Sequence, residues 1–123
     1  MSMKKILIVE DEPDEARSIQ LILKNEKFKT TTAKTVKSAE KKLKKEKFNL
    51  ILLDIILPYE LGTKLLEKMI KEKNNTPTIV ITAISKKFTS IKKDIKKINP
   101  EAGFLSKPFT SKKLLNEIKK YIK

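Results

Sequence analysis

The chain has 123 residues, a formal net charge of +14, and neither cysteine nor histidine. That length suits one domain with a single core. The missing residue types exclude disulfides, thiolate and imidazole zinc sites, and every hydrolase whose nucleophile is activated by histidine. Nearly all the cations are lysines, Arg17 being the only arginine. Arginine does most bidentate phosphate and base reading, so the charge reads as a general lysine bias rather than a nucleic-acid footprint. It is nevertheless uneven, because residues 86 to 123 hold twelve lysines against Asp94, Glu101 and Glu117. No apolar run approaches the roughly 20 residues of a membrane span, and Ile6 to Val9 is too short for a signal-peptide core. The expectation is a cytoplasmic protein without membrane insertion.

Short apolar runs alternate five times with longer amphipathic stretches. Ile6 to Val9 reads as a strand; after the acidic turn EDEPDE, residues Ala16, Ile19, Ile22 and Leu23 keep helical spacing, with Pro13 suited to the first turn. Phe28 to Ala33 is a threonine-rich strand suited to a sheet edge, and Val36, Ala39 and Leu43 mark a second helix. LILLD, residues 50 to 54, is the third strand; Leu65, Leu66, Met69 and Ile70 stripe the third helix. Pro77 leads into a fourth strand from Thr78 to Thr82, followed by a helix striped by Phe88, Ile91, Ile95 and Ile98. Gly103 to Ser106 is a short fifth strand, and Leu114, Leu115, Ile118, Tyr121 and Ile122 form the inner face of a last helix. Strands separated by helical crossovers imply a parallel sheet with helices on both faces, an α/β fold of the doubly wound (βα)5 kind. Continuous apolar strands such as LILL and TIVIT are what burial on both faces demands. One domain over residues 1–123, with no attached output domain, is expected.

In open α/β sheets ligands bind beyond the carboxyl ends of the strands. There this sequence places Glu10 and Asp11 after ILIV, Asp54 after LILL, Thr82 after TIVI and Lys107 after FLS. Asp54 is the hardest to explain structurally, since an unpaired carboxylate at the end of a buried strand is costly. Clustered carboxylates repel one another and call for a cation, and a hard ion such as Mg2+ takes such oxygen ligands. Phosphoryl transfer then needs positioning and neutralisation of charge, with Asp54 as nucleophile, Lys107 as a second cation and the Thr82 hydroxyl as a donor. Glu12, Asp14 and Glu15 read instead as first-turn acids favoured by the helix dipole.

The ordered set ILIVEDEPD, LILLDIILP, IVITAIS and FLSKPF resembles the response-regulator receiver domain of two-component signalling, over essentially the whole chain. The resemblance implies a flavodoxin-like sheet of order 2-1-3-4-5. It implies a phosphoprotein in which a sensor histidine kinase or histidine phosphotransferase donates a phosphoryl group to Asp54, with Mg2+ held by Glu10, Asp11, Asp54 and the backbone carbonyl of Ile56. It further implies that Thr82 and Phe104 act as switch residues that remodel the face made by the fourth helix, fifth strand and fifth helix, and that the Lys107-Pro108 bond is cis. Such a domain is not an enzyme in the ordinary sense, assisting only its own phosphorylation and dephosphorylation. A stand-alone receiver would signal to a separate protein or pass the group on in a phosphorelay, as a monomer or a phosphorylation-dependent dimer.

Several positions depart from the family pattern. The loop after the phosphoacceptor is PYELG, with Tyr59 in place of a glycine; Pro100-Glu101 replaces Gly-Ala; Glu10 stands for aspartate; and Phe104 lacks the hydroxyl of the frequent tyrosine. Ile56 and Ile84 flank the site without a group to orient water, which predicts slow self-dephosphorylation. Lys92, Lys93, Lys96, Lys97, Lys112, Lys113, Lys119 and Lys120 crowd the expected output face, which reads either as one that favours an acidic partner or as a solvated lysine-rich surface with no partner. The alternative is a basic nucleic-acid-binding protein on a degenerate receiver fold, disfavoured because no helix-turn-helix or interleaved aromatics are present. A phosphatase-like hydrolase or mutase needs a second acid where Ile56 stands, and two glycines are too few for a phosphate-binding loop.

Overall fold

The computed structural model describes residues 3–83 and 88–122. In chain order the elements are β1 (Lys5–Val9), α1 (Pro13–Asn25), β2 (Lys29–Ala33), α2 (Val36–Lys45), β3 (Leu50–Asp54), α3 (Thr63–Lys71), β4 (Thr78–Ala83), α4 (Phe88–Ile98), β5 (Gly103–Lys107) and α5 (Ser111–Lys119). The five strands are parallel and pair in the order β2-β1-β3-β4-β5. The doubly wound expectation is met, including the edge position of the threonine-rich β2.

Side-chain alternation explains why the inner strands carry no polar face. Ile6, Ile8, Leu50, Leu52, Ile79 and Ile81 point to the layer of α1 and α5, where Ile19, Leu23, Leu114 and Ile118 meet them. Leu7, Val9, Ile51, Leu53 and Val80 point the other way, against Val36, Ala39, Leu65, Leu66, Met69 and Ile95 of α2, α3 and α4. With both faces covered, period-2 patterning disappears and LILL becomes a continuous run. Among the described residues no helix is long and apolar enough to cross a membrane.

Local signals set the element ends. Glu12 caps α1 through a bond from the Asp14 N–H, and Pro13 occupies its first turn. Thr35 and Thr110 cap α2 and α5 by accepting from the N–H groups of Ser38 and Lys113, at 3.0 and 3.1 Å. Phe28, expected in the second strand, precedes it: its N–H closes the end of α1 on the Leu23 carbonyl at 3.0 Å. The last helix ends at Lys119, and Tyr121 and Ile122 pack against the α1/α5 layer from the following turn. The side chain of Phe88, expected in the apolar stripe of α4, lies outside the described residues.

Candidate functional site

Parallel register brings the carboxyl ends of four strands level. Val9 lies opposite Leu53, Asp54 opposite Ile81, Thr82 opposite Ser106 and Ala83 opposite Lys107. Glu10, one residue past β1, is therefore beside Asp54, the last residue of β3. Both carboxylates are buried, at 4% and 6% exposure, as is Thr82.

Lys107 joins them from the end of β5. Its ammonium donates to Glu10 Oε1 at 2.8 Å, to Asp54 Oδ2 at 2.8 Å and to Glu15 Oε2 at 2.9 Å. The other Asp54 oxygen, Oδ1, accepts from the backbone N–H of Ile56 at 2.9 Å. An ammonium has three protons, so each is matched here by a separate carboxylate. Thr82 is at the rim, with its hydroxyl in a long 3.5 Å contact to the Ala83 carbonyl. Phe104 is half-buried against the α2/α3/α4 core, and the ammoniums of Lys92 and Lys96 stand 5.1 and 5.6 Å from its ring centre.

Three carboxylates around one ammonium leave an excess of negative charge, and the titration behaviour follows. Burial, then the Glu15 and Asp54 carboxylates beside it, push the Glu10 carboxyl up to about 8, against the pull of Lys107. Glu15 is lowered by its interactions with Glu10 and Lys107. Burial opposes the Lys107 charge, yet its bonds to Asp54, Glu10 and Glu15 together outweigh that and raise its pKa.

The donor set suits a hard divalent cation. Carboxylate oxygens of Glu10, Glu15 and Asp54 all lie within 4.8 Å of one another, and all are hard oxygen ligands. They already surround one cation, the Lys107 ammonium. Asp11, expected among the metal ligands, is exposed and outside this group. Ile56 meets Asp54 through its N–H. Ile84, expected to flank the site, lies outside the described residues.

Two residues of the site were not singled out by sequence reasoning. Glu15, expected among the first-turn dipole acids of α1, instead reaches Lys107 with its carboxylate. The excess of acids over cations at the strand ends was the available signal. Gly62 is the other. A Cβ built on it would stand 2.6 Å from the carbonyl oxygen of Asp54 and 3.0 Å from Ile55 Cα, so the start of α3 passes the end of β3 more closely than any side chain allows. The Gly62 N–H fixes that approach by donating to the Ile55 carbonyl at 2.8 Å. Being one of only two glycines was its signal. Tyr59, where the family has glycine, adopts φ 71, the left-handed region glycine prefers. The loop thus keeps a glycine-like backbone, at a cost of about 1–2 kcal/mol for a tyrosine. The Lys107-Pro108 bond is cis.

Comparison with known proteins agrees with this geometry. A receiver domain protein (CheY-like) from Methanospirillum hungatei superposes with a TM-score of 0.84 at 34% identity, covering 97% of this chain and 93% of that one. The response regulator TrrA of Thermotoga maritima, solved in complex with Mg2+ and BeF, gives 0.84 at 27% identity and covers 98% of this chain and all of its own. The regulatory protein VanR of Enterococcus faecium is 33% identical over 115 residues, and PilR of Pseudomonas aeruginosa 37% over 91. This chain spans 48% of the length of VanR and 20% of that of PilR. The response regulator receiver domain family matches residues 6–119, nearly the full length, and the chain therefore belongs to the receiver domains of two-component response regulators.

Proposed function

We propose that the chain is a phosphorylation-controlled switch in which Asp54 accepts a phosphoryl group from the phosphohistidine of a sensor kinase or phosphotransferase. The observation that carries this reading is the convergence of Asp54, Glu10 and Lys107 from the ends of three different strands, with both carboxylates within hydrogen-bonding distance of the ammonium. Asp54 Oδ forms the new bond to phosphorus as the P–N bond to the donor imidazole breaks, and the imidazole keeps the electron pair. Having no histidine of its own, the chain can only receive in that exchange.

Glu10, Asp54, the Ile56 carbonyl and the neighbouring exposed Asp11 would hold Mg2+. A bound divalent ion supplies neutralisation of the charge that three phosphoryl oxygens bring to an already anionic site. The Ile56 N–H fixes the Asp54 carboxylate through Oδ1, which leaves Oδ2 on the side of Lys107. Lys107 supplies the counter-charge beside the nucleophilic carboxylate through its hydrogen bond to Asp54 Oδ2.

A phosphoryl group adds nearly two negative charges beside Thr82 and Lys107. Thr82 loses little by turning toward it, because its present contact to Ala83 is long. Movement of Thr82 vacates space next to β5, and Phe104, half-buried between that strand and α4, can follow. The readout surface is then α4, β5 and α5. Its exposed lysines at 92, 93, 96, 97, 112, 113, 119 and 120 favour a partner with an acidic surface. The domain so described acts in the cytoplasm, as a binding switch rather than an enzyme with a separate substrate.

Intact mass after incubation with acetyl phosphate tests the reading, with and without Mg2+, for the natural chain and Asp54→Ala. One phosphoryl adduct that needs both Mg2+ and Asp54 is the expected result. An equal adduct on Asp54→Ala would refute it.

A further inference from the structure

The ion pairs around Lys107 differ in what they cost to break. Glu10 and Asp54 have side chains 3% and 9% exposed, and both are buried at the ends of central strands. Glu15 is 48% exposed, sits on the first turn of α1, and reaches the same ammonium at 2.9 Å. An exposed pair is worth a fraction of a buried one, because water readily replaces the partner. All three ammonium protons are committed, so Lys107 can bond a phosphoryl oxygen only by leaving a carboxylate. Glu15 is the arm released most cheaply.

Resting on the phosphoacceptor reading above, we propose that Glu15 is a positioning residue that competes with the incoming phosphoryl group for the third N–H of Lys107. In the unphosphorylated protein Glu15 completes the coordination of the ammonium and holds it over the buried acids. On phosphoryl transfer the Lys107–Glu15 bond breaks and a Lys107–phosphoryl bond replaces it; no proton or electron changes hands in the exchange. Glu15 thus stabilises the resting state and slows entry into the phosphorylated one.

A neighbouring acid gives the control. Asp14 lies one residue away on the same turn, carries the same charge, and pairs with Arg17 at 3.8 Å instead of with Lys107. If field alone mattered, neutralising either acid would have the same effect on an anionic phosphodonor.

The experiment compares the natural chain, Glu15→Gln and Asp14→Asn at saturating Mg2+. It measures the rate of adduct formation with acetyl phosphate by intact mass and the thermal midpoint without donor. Glu15→Gln should phosphorylate about two- to fivefold faster, the range of one exposed charged hydrogen bond. It should at the same time unfold at a slightly lower temperature, while Asp14→Asn phosphorylates at the natural rate. A merely structural Glu15 would lower both midpoint and rate. A thermal cycle with Lys107→Met adds a readout free of the reaction: the midpoint loss from Glu15→Gln should vanish in the Lys107→Met background. Unchanged or slower phosphorylation of Glu15→Gln, an equal gain in Asp14→Asn, or an additive cycle would overturn the proposal while the natural chain is phosphorylated. No adduct on the natural chain would overturn the phosphoacceptor reading and this one with it.

Discussion

Gly62→Ala separates two physical effects of opposite sign. Gly62 has φ −58 and ψ −23, an ordinary right-handed conformation at the start of α3. By backbone preference alone, alanine there would stabilise the fold by about 0.5–1 kcal/mol, through a less flexible unfolded chain. The contact opposes this. Its Cβ would lie 2.6 Å from the Asp54 carbonyl oxygen, far inside van der Waals contact at about 3.5 Å, and backbone cannot swing aside as a side chain does. Relief requires moving the end of β3 or stretching the 2.8 Å bond from the Gly62 N–H to Ile55. Overpacking of this kind costs about 3 kcal/mol, so a net loss of about 2 kcal/mol is expected. For a domain this size that lowers the thermal midpoint by about 6–10 °C. Gly103→Ala is the comparison: its Cβ would meet the hydroxyl end of the half-buried Tyr121, which can move, so a smaller loss is expected. Thermal unfolding followed by circular dichroism reads both. A Gly62→Ala midpoint at or above that of the natural chain would refute the reasoning, because it would mean that the contact yields for less than helix preference returns.

Other consequences concern the charged site. Lys107→Met leaves Glu10, Glu15 and Asp54 around no cation and should cost about 3 kcal/mol, and Mg2+ should raise the melting temperature of this variant more than that of the natural chain. A smaller response to Mg2+ in calorimetry would contradict that. Glu10 carries a pKa raised from 4.5 to about 8, so in the absence of metal the folded state binds more protons than the unfolded one across that window. Stability should therefore fall as pH rises from about 5 to 8, and Glu10→Gln should flatten the profile; a natural chain that gains stability over this range would count against it. Ile56 is 59% exposed and offers no polar side-chain group beside Asp54. The phosphorylated protein should accordingly persist for many minutes, with Ile56→Asn losing the group several-fold faster as its amide orients water; a half-life of seconds for the natural chain would exclude this.

Much of the architecture was legible because burial on both faces leaves a strong mark. LILLD and TIVIT read as central strands from their unbroken apolar character, FKTTTA as an edge, and an aspartate closing the most buried strand marks the place of the chemistry. Lys107 and Glu10 followed from their place after apolar runs. What escaped is geometry that crosses between elements. Glu15 and Asp14 are neighbouring acids on one helical turn, and only the three-dimensional path of α1 decides that one meets Lys107 and the other Arg17. The left-handed backbone of Tyr59 and the close passage of Gly62 over β3 depend likewise on how the β3–α3 loop is pinned, which no local preference for tyrosine or glycine specifies. The end of α5 moved inward because apolar spacing continues through Tyr121 and Ile122 although the helical hydrogen bonds do not.

The most direct test of the central claim is to locate the phosphoryl group. Protein incubated with acetyl phosphate and Mg2+, then reduced with borohydride, converts an acyl phosphate to the corresponding alcohol and tags the modified carboxylate for peptide mass spectrometry. The label is predicted at Asp54 alone, and absent when Mg2+ is withheld. A label on Glu10, Asp11 or Glu15 with Asp54 untouched would contradict the account, since it would assign the nucleophile to a carboxylate placed here in a supporting role.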